Sequence, residues 1–542
     1  MTGNEAVVEI LKREGVEYLF CFPANSLIDA AVSGGIRPIL TRTERTLVNM
    51  ADGFSRVSNG ERIGVCTVQD GPGIENAFAG VAQAFADSSP ILFLPGQAAR
   101  ERWGIRPDFN VEQHYGGVTK WVVRANGADR LPELLQRAFT RLKSGRPGPV
   151  MVGISRDVAS EALTEALAYT PSRRVRSAGD PGDVDGAVRA LLSAKAPMIH
   201  AGQGVLYASA WAELRAFAEL LGVPVVTTLA GKSAFPEDHP LSAGTAAYTV
   251  SGAARHFLDK ADVIFGIGCS FSRSIMSTPI PPGKVLIQAT VDEFDLNNEY
   301  RVAHAILGDA RLVLQQAIEA VRAQTGSEGP IFTGLDAELR SVKEAWLNAW
   351  MPKLTSDEVP INPYRVVWDL MQTLDRRRTI LTHDSGNPRD QIVPFYEALF
   401  PRGYLGWGKS TQLGYSLGLS MGAKLAAPDR VVAHVWGDAA IGMAGMDLET
   451  AVREKIPILT VVLNNGAMGG YEQHMPVATK QYGSKFLTGD YAAVARGLGA
   501  HGERVERPEE IVPAIGRALE EVEAGRPVVL EVMTREEGAF SG

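Results

Sequence analysis

The strongest constraint on the fold of this 542-residue chain is a series of short, unbroken apolar runs that alternate with segments of helical periodicity. Strands buried on both faces of a sheet give such runs, rich in β-branched residues. The alternation therefore predicts an α/β architecture built from doubly wound parallel sheets. The predicted strands are 63–68, 90–95, 149–154, 197–202, 224–229, 262–268, 284–289, 379–384, 430–438, 457–465 and 527–533, and the clearest helical segments are 127–143, 211–222, 311–323 and 508–524.

Three stretches have the composition of linkers. Residues 170–184 are rich in Pro, Gly and charge, residues 324–331 interrupt a helical pattern, and residues 353–363 contain two prolines. At about 150 residues per domain, a chain of this length forms three or four domains. We therefore predict three domains, each with its own parallel sheet, at residues 1–170, 183–325 and 355–542.

The first and last of these domains share a faint internal similarity. In each, a strand ends in small turn residues, VQDGPG at 68–73 and WGDAA at 436–440. A helical stretch then leads to a strand opened by Pro-Ile-Leu, at 90–92 and at 457–459. The pattern leaves both duplication of one domain and chance similarity open.

The charge balance limits the partners of the chain. Lys and Arg number 54 against 62 Asp and Glu, which gives a formal net charge of −8. Nucleic-acid binding draws on clustered positive charge, so we expect no nucleic-acid partner. The three cysteines, Cys21, Cys66 and Cys269, lie in apolar contexts without ligand spacing, which is typical of a reducing compartment. No apolar run approaches the ~20 residues of a membrane span, and the N-terminal helix lacks the apolar core of a signal peptide. We expect a cytoplasmic protein without a membrane partner.

Polar residues follow two neighbouring strands of the last domain. Asp438 follows the strand VVAHVWG, and Asn464 and Asn465 end the strand ILTVVLNN, so that Asn465 lies 27 positions after Asp438. In an open parallel sheet, ligands bind outside the carboxyl ends of the strands, so these side chains should face one edge. Each group alone would more simply cap a helix or form a turn. Together they predict a site for Mg²⁺ or Ca²⁺, which could bridge a diphosphate to this acidic protein.

The segment GDAAIGMAGMDLETAVREKIPILTVVLNN at 437–465 resembles the metal and diphosphate motif of thiamine diphosphate (ThDP) enzymes, which begins with GDG and ends in NN. The resemblance implies bound ThDP and Mg²⁺ (or Ca²⁺), with the metal held by Asp438, Asn465 and the backbone carbonyl of Ala467. Ala439 stands where the family usually has Gly. The residues that the resemblance nominates for diphosphate contacts in this motif are Gly437, Ala439 and Ala440.

In the first domain, TRTERTLVNMADGFSR at 41–56 resembles the family segment that carries the activating glutamate, which matches Glu44. Gly73 and Asn76 match the turn that follows, and the resemblance places them at the cofactor. A carboxyl group bonded to N1′ of the aminopyrimidine favours the imino tautomer, whose 4′ nitrogen takes the C2 proton of the thiazolium ring. Without the matching residues on both sides, Glu44 would be one charged residue among many on a helix.

Two further segments of the last domain resemble the family. HDSGNPRDQ at 383–391 matches the donors to the diphosphate and nominates Gly386 and Asn387. TQLGYSLGLSMGAKLA at 411–426 resembles the opening of the helix whose apolar residue wedges between the two cofactor rings, and that residue is Leu413. The candidates to face the substrate are Tyr471, His474 and Asn25, and a core or surface role for Tyr471 and His474 is equally open.

The middle domain contains Gly202-Gln203-Gly204 and Gly266-Ile267-Gly268, each after a predicted strand. Two such turns in one domain indicate a nucleotide site, since they let the backbone approach a phosphate. In relatives this domain carries ADP, FAD or nothing, so a site kept only as scaffold is also open. Arg273 is a candidate partner of a phosphate.

The stretch from Gly403 to Ser410 satisfies the P-loop pattern. A P-loop follows a buried strand, whereas Phe400-Pro401-Arg402 precedes this stretch and two aromatic residues lie inside it. A P-loop nucleotide hydrolase is therefore a minor alternative.

The resemblance covers about residues 4–535 and follows the acetohydroxyacid-synthase-like branch, which includes oxalyl-CoA decarboxylase, 2-hydroxyacyl-CoA lyase, acetolactate synthase and benzaldehyde lyase. The chain has no adjacent His-His pair, which argues against a pyruvate-decarboxylase-type site. GMDLET at 445–450 looks more like the acyl-CoA enzymes. A binding module that keeps the fold without activity is the other class considered, and the presence of Glu44 argues against it.

We therefore expect a ThDP-dependent carbon–carbon lyase or carboligase, first of all a 2-hydroxyacyl-CoA lyase that forms formyl-CoA and an aldehyde or ketone, reversibly. The alternative is an acetolactate-synthase-like decarboxylase and carboligase of 2-oxo acids. The partners expected are a small-molecule substrate, such as an acyl-CoA, and further copies of the chain. The resemblance implies a homodimer or homotetramer with active sites at the subunit interface.

Overall fold

The computed structural model of the protein describes residues 1–274 and 276–542. It contains three parallel β-sheets, each packed between helices. Each predicted strand is present, and its ends differ from the prediction by no more than two residues. The predicted α/β class, with three doubly wound parallel sheets, is therefore confirmed.

The first sheet has the strand order β2-β1-β3-β4-β7, with β6 paired to the far side of β7 and the short β5 continuing the line of β4. Its elements are α1 Gly3–Arg13, β1 Tyr18–Cys21, α2 Leu27–Ser33, β2 Arg37–Leu40, α3 Glu44–Val57, β3 Gly64–Thr67, α4 Pro72–Ala86, β4 Ile91–Phe93, β5 Gly96–Gln97, α5 Val111–Tyr115, β6 Trp121–Ala125, α6 Leu131–Lys143, β7 Val150–Ser155 and α7 Arg156–Ser160.

The second sheet has the order β10-β9-β8-β11-β12-β13. Successive strands are added on one side of β8 up to β10 and then on its other side from β11, so the strand order reverses between β8 and β11. This is the order of dinucleotide-binding sheets, whose ligands lie at that switch point. The elements are α8 Pro181–Leu192, β8 Pro197–Ala201, α9 Gln203–Tyr207, α10 Trp211–Leu221, β9 Val225–Thr228, β10 Ser242–Ala246, α11 Gly252–Lys260, β11 Val263–Ile267, β12 Val285–Thr290, β13 His304–Leu307 and α12 Ala310–Thr325.

A helix, α13 at Leu335–Leu354, connects the second sheet to the third. It lies between the predicted domains, in a stretch that the sequence prediction assigned to none of them. Its Trp346 stacks on Phe395 of the third domain, with ring centroids 4.9 Å apart. The segment is therefore a packed connection rather than an open linker.

The third sheet has the order β15-β14-β16-β17-β19-β18. Counted within each domain, this order is the same as that of the first sheet without β5, which supports duplication of one domain. The elements are α14 Pro363–Thr373, β14 Thr379–His383, α15 Asn387–Ile392, β15 Tyr404–Leu405, α16 Tyr415–Ala426, β16 Val431–Gly437, α17 Asp438–Ala444, α18 Leu448–Arg453, β17 Leu459–Asn464, α19 Pro476–Tyr482, α20 Tyr491–Gly497, β18 His501–Val505, α21 Ile511–Glu523 and β19 Val528–Met533.

The P-loop-like stretch 403–410 does not form a P-loop. Strand β15 lies inside it, and the next helix begins only at Tyr415. A P-loop lysine stands at the start of a helix, whereas Lys409 lies in an extended strap before α16. The structure thus agrees with the small weight given to a nucleotide hydrolase.

The first and third domains pack through the equivalent helices α3 and α16. Glycines let the two backbones touch: a Cβ on Gly53 would lie 2.0 Å from the Leu419 carbonyl oxygen, and one on Gly422 would lie 2.0 Å from that of Met50. No L side chain fits at such distances, so this crossing depends on glycine. It places the N-termini of α3 and α16 at the same end of the molecule, because Gly418 packs near Thr46 and Gly422 near Met50.

No helix within the described ranges is both long and apolar enough to cross a lipid bilayer.

Candidate active site

The predicted metal ligands converge at the carboxyl edge of the third sheet. The amide nitrogen of Ala467 lies 3.2 Å from Asp438 Oδ2 and 3.0 Å from Asn465 Oδ1, so both oxygens face one small volume. Burial raises the pKa of Asp438, while N–H groups of Ala439 and of the 465–467 turn lower it. The described residues contain no cluster of three His, Cys, Asp or Glu that could hold a metal. A cation here would depend on the hard carboxylate, amide and carbonyl oxygens that Mg²⁺ and Ca²⁺ prefer.

Asn464 and Asn465 have different tasks. The amide of Asn464 donates to Glu531 Oε1 at 2.7 Å and accepts from Gly466 N at 3.0 Å. It therefore fixes the turn to the neighbouring strand β19. Asn465 keeps its side-chain oxygen at the site, as the predicted assignment of the metal requires.

The predicted diphosphate contacts surround the same edge. Gly386 precedes α15 with φ 86° and ψ −151°, a conformation restricted essentially to glycine, and space around its Cβ position is open. The side-chain nitrogen Nδ2 of Asn387 comes so close to the backbone of Gly469 that a Cβ there would lie 2.4 Å from it. The turn after β14 and the metal loop after β17 therefore form two walls of one cleft.

Helix α17 forms the third wall. Gly437 is its N-cap in an extended conformation, and Ala439 N donates to Asp438 Oδ1 at 2.8 Å. Ala439 lies inside the helix, so the methyl group that replaces the usual Gly needs no unusual backbone. Ala440 is fully buried, and its carbonyl oxygen would lie 3.2 Å from a Cβ on Gly414. Helix α17 thus packs directly on the segment that carries Leu413.

Leu413 lies at the N-terminal end of α16 and is held by a carboxylate that the sequence prediction did not single out. The buried Asp384 accepts from Gly414 N at 2.9 Å, Ser416 N at 2.9 Å and Ser416 Oγ at 2.7 Å. Burial raises the pKa of Asp384, and the bonds from Ser416 and Gly414 lower it. The only earlier signal was its place in HDSGNPRDQ, beside the residues nominated for the diphosphate.

Glu44 is the first residue of α3, and its side chain is buried. Its Oε2 accepts from Asn76 Nδ2 at 3.3 Å, which joins two of the predicted cofactor residues. Gly73 packs tightly below them, since a Cβ would lie 2.9 Å from Gln69 Cγ. Arg45 donates to the carbonyl oxygen of Leu413, so the turn that bears Glu44 touches the third domain of the same chain.

The three predicted substrate residues differ in their surroundings. Asn25 donates to Thr67 Oγ1 at 2.8 Å and to Val68 O at 3.0 Å, and it accepts from Leu27 N at 2.9 Å. These bonds use the amide to fix the turn after β1. Tyr471 and His474 lie exposed after the metal loop, with ring centroids 6.1 Å apart. All three remain predictions.

The C-terminal tail reaches the metal loop, which the sequence prediction missed. Glu536 accepts from Gly470 N at 2.8 Å and from Lys485 Nζ at 2.8 Å. Further along, Val250 N donates to the carbonyl oxygen of Ser541 at 3.0 Å. The tail is therefore packed on its own chain, where polar residues at a chain end gave no sequence signal.

A cavity of about 350 Å³ lies at the switch point of the second sheet, between all three domains. His200 and Tyr207 are among its lining residues, and both ring nitrogens of His200 and the hydroxyl of Tyr207 are buried without a partner among the described residues. Burial lowers the pKa of His200 to about 4, so its ring is neutral at pH 7. The nearby Gly-x-Gly turns pack on each other, because a Cβ on Gly202 would lie 2.2 Å from the Gly268 carbonyl oxygen. The glycines thus serve turn packing, and the unpartnered polar atoms are the better sign of a ligand. Arg273 lies over the Tyr300 ring at 4.4 Å.

Family models for thiamine pyrophosphate (TPP) enzymes, another name for ThDP enzymes, match each domain. The N-terminal TPP binding domain matches residues 1–117, the central domain residues 184–317 and the C-terminal TPP binding domain residues 384–532.

Curated relatives match along almost the whole chain. A probable acetolactate synthase large subunit of Methanocaldococcus jannaschii is 30% identical, over 96% of this chain and 90% of the relative. The acetolactate synthase isozyme 3 large subunit of Escherichia coli is 29% identical, over 98% and 94%. A sulfoacetaldehyde acetyltransferase of Alcaligenes xylosoxydans xylosoxydans is 30% identical, over 99% and 94%. With the sheet edge that gathers Asp438, Asn465 and Gly386, these matches lead to one conclusion: the chain belongs to the thiamine diphosphate-dependent enzymes, in their acetohydroxyacid-synthase-like branch.

Proposed function

We propose that the protein is a decarboxylase and carboligase of 2-oxo acids that joins two molecules of pyruvate into acetolactate with release of CO₂. The observation that carries the proposal is the similarity to acetolactate synthase large subunits over nearly the full length of both chains. This was the alternative at the sequence level, and the relatives support it better than the 2-hydroxyacyl-CoA lyase that came first. The sequence reading thus gave the right class of enzyme and ranked the two substrates in an order that the relatives do not support.

The motif that favoured an acyl-CoA substrate has a structural explanation. In GMDLET, Asp447 accepts from Arg42 N at 2.7 Å and from Thr450 Oγ1 at 2.9 Å, so both polar residues serve a contact between domains. The motif therefore no longer argues for coenzyme A.

The residues at the third sheet fit ThDP and a divalent cation. Asp438, Asn465 and the carbonyl of Ala467 would hold Mg²⁺, with Gly386, Asn387 and the start of α17 around the diphosphate. When bound, ThDP supplies a nucleophilic carbon at C2 that adds to a carbonyl group and then accepts the electrons of the bond that breaks. Glu44, buried at the start of α3, would hold the proton at N1′ that activates this carbon. Leu413 would wedge between the two rings of the cofactor and so bring the 4′ nitrogen near C2.

The cavity in the second domain suits an adenine nucleotide, either ADP or the ADP half of FAD. It lies where dinucleotide-binding sheets hold their ligands. His200 and Tyr207 line it and carry buried polar atoms without a partner, and a buried polar group without a partner costs free energy. Absorbance and mass of the small molecules released from denatured protein distinguish ADP, FAD and an empty site.

We also propose that the chain forms homodimers or homotetramers, with Glu44 of one copy serving the metal site of another. Two equivalent helices carry exposed apolar side chains: Phe78 and Phe85 on α4 are 38% and 40% exposed, and Met443 on α17 is 55% exposed. A second copy would bury these groups. Sedimentation of the holoenzyme measures the state of assembly.

Three parallel assays test which reaction the protein catalyses. The holoenzyme is incubated with pyruvate alone, with formyl-CoA plus an aldehyde, and with sulfoacetaldehyde plus inorganic phosphate as the acetyl acceptor, and Glu44→Gln serves as the inactive control in each. We expect acetolactate and CO₂ from the first mixture. Formation of a 2-hydroxyacyl-CoA in the second mixture, or consumption of sulfoacetaldehyde in the third, without acetolactate in the first, would overturn the proposal.

A further inference from the structure

The turn that leads into Glu44 is held by the third domain. Asp447 Oδ1 accepts from Arg42 N at 2.7 Å, and its Oδ2 accepts from the hydroxyl of Thr43 at 3.0 Å. Thr43 is the N-cap of α3, and its hydroxyl oxygen also accepts from Thr46 N at 3.3 Å. One carboxylate from another domain thus binds both residues before Glu44.

This carboxylate differs from the other contacts between the same segments. Asp447 is fully buried, whereas the Arg42 side chain that pairs with Glu449 is 51% exposed. Exposed ion pairs contribute little to stability, while hydrogen bonds that a buried carboxylate accepts are among the stronger ones in proteins. The direction of the turn therefore depends on Asp447 more than on its charged neighbours.

The first domain makes an equivalent contact to the third domain. Asp87, at the C-terminal end of α4, is buried and accepts from Gly408 N at 3.2 Å and from Lys409 N at 3.3 Å. This bond holds the strap that leads into Leu413. Asp87 and Asp447 thus have equivalent positions, each after the helix that follows the third strand of its domain. Each binds a segment of the other domain that leads to a predicted cofactor residue, Leu413 for Asp87 and Glu44 for Asp447.

We propose that Asp447 is a positioning residue for Glu44: by fixing the N-terminal turn of α3 it sets the direction in which the Glu44 carboxyl meets the aminopyrimidine. The inference rests on the proposed role of Glu44. It does not depend on which substrate is converted, because activation of the cofactor precedes the reaction with substrate.

Hydrogen–deuterium exchange at C2 of ThDP, followed by NMR at saturating ThDP and Mg²⁺, tests the proposal without any substrate. We expect Asp447→Ala to slow the exchange by about tenfold or more, because a misplacement of ~1 Å costs a catalytic group up to ~100-fold. Asp447→Glu restores a carboxylate and should recover part of the rate. Glu449→Gln, two residues after Asp447, removes the ion pair to the half-exposed Arg42 side chain; it is the matched control and should exchange at the wild-type rate.

Double variants separate positioning of Glu44 from a general loosening of the interface. If Asp447 acts through Glu44, removing it from Glu44→Gln costs nothing more, whereas Asp87→Ala, which acts on the strap before Leu413, lowers the rate further in that background. Should Asp447→Ala not fold, Asp447→Asn keeps the volume and gives the same comparison. Unchanged exchange in folded Asp447 variants would overturn the proposal, as would a full additional loss in the Glu44→Gln background. Unchanged exchange in Glu44→Gln itself would instead remove the role of Glu44, and the inference with it.

Discussion

Gly386 allows a test of the predicted diphosphate site in which a substitution acts only through backbone strain. Its φ of 86° and ψ of −151° lie where residues other than glycine are strained. An added Cβ would have no heavy atom within 4 Å, so Gly386→Ala introduces strain without a clash. The strain is about 1–3 kcal/mol, and the lower entropy of the unfolded chain offsets about 0.4–1 kcal/mol of it.

We therefore expect a net loss of about 1–2 kcal/mol, which lowers the unfolding temperature of a domain of this size by about 2–8 °C. Scanning calorimetry of the ThDP-free protein measures the shift, and titration calorimetry measures the ThDP affinity. If the loop relaxes to avoid the strain, it turns the N–H groups at the start of α15 away from the cleft, and the ThDP affinity falls instead.

Gly437→Ala is the matched control in the same cleft. Gly437 has φ −95° and ψ 170°, and the nearest heavy atom to an added Cβ is Pro388 Cγ at 3.8 Å, an ordinary contact. We expect its unfolding temperature to stay near that of the wild type. A Gly386→Ala protein with the unfolding temperature and the ThDP affinity of the wild type would refute the reasoning.

Three further outcomes are expected. Asp438→Ala should lose metal-dependent ThDP retention, and a chelator should strip ThDP from the wild type in the same way. Undiminished ThDP affinity of Asp438→Ala by calorimetry contradicts the metal assignment. Chains with Glu44→Ala and chains with Asp438→Ala should each be inactive, and confirmed heterodimers should regain activity; none regained counts against a site shared between copies. Gly422→Val should lower the unfolding temperature or prevent folding, because its Cβ would lie 2.0 Å from the Met50 carbonyl oxygen; a stable protein by calorimetry would show that the crossing can shift.

The sequence predicted the buried strands well because both faces of a parallel sheet demand apolar residues. It predicted short strands poorly: it missed the edge strand β2 at Arg37–Leu40, which has one fully buried residue, and also the inner strand β1 at Tyr18–Cys21, which has three. It also missed α13 at Leu335–Leu354, a helix with only two buried residues whose tryptophans pack on the third domain. Such a helix has no continuous apolar face and is recognised only once its neighbours are known.

For the site, sequence motifs identified the residues that we expect to contact a ligand. They did not identify the residues that hold these contact residues in place. Asp438 and Asn465 belong to a local pattern at strand ends, and the structure brings them together. Asp384 and Asp447 act over 30 and 404 residues of sequence, on Gly414 and Thr43. Contacts between segments far apart in the chain leave no spacing rule in one sequence, so a buried aspartate of this kind reads as an ordinary turn residue.

The equivalent strand end of the first domain shows why we expect the metal site in the third domain only. Asp70 follows β3 as Asp438 follows β16, and Arg156 Nη2 lies 3.1 Å from Asp70 Oδ1. Asp438 has bonds from backbone N–H groups instead, and within the described part of the chain no Lys or Arg forms an ion pair with it. A carboxylate that is buried without a cation costs free energy, and a divalent ion that also binds a diphosphate removes that cost. Asp70 is partly exposed and faces the largely exposed Arg156, so its charge is already met by water and an arginine. We therefore expect no metal ligand from the first domain, whose proposed group at the cofactor is Glu44.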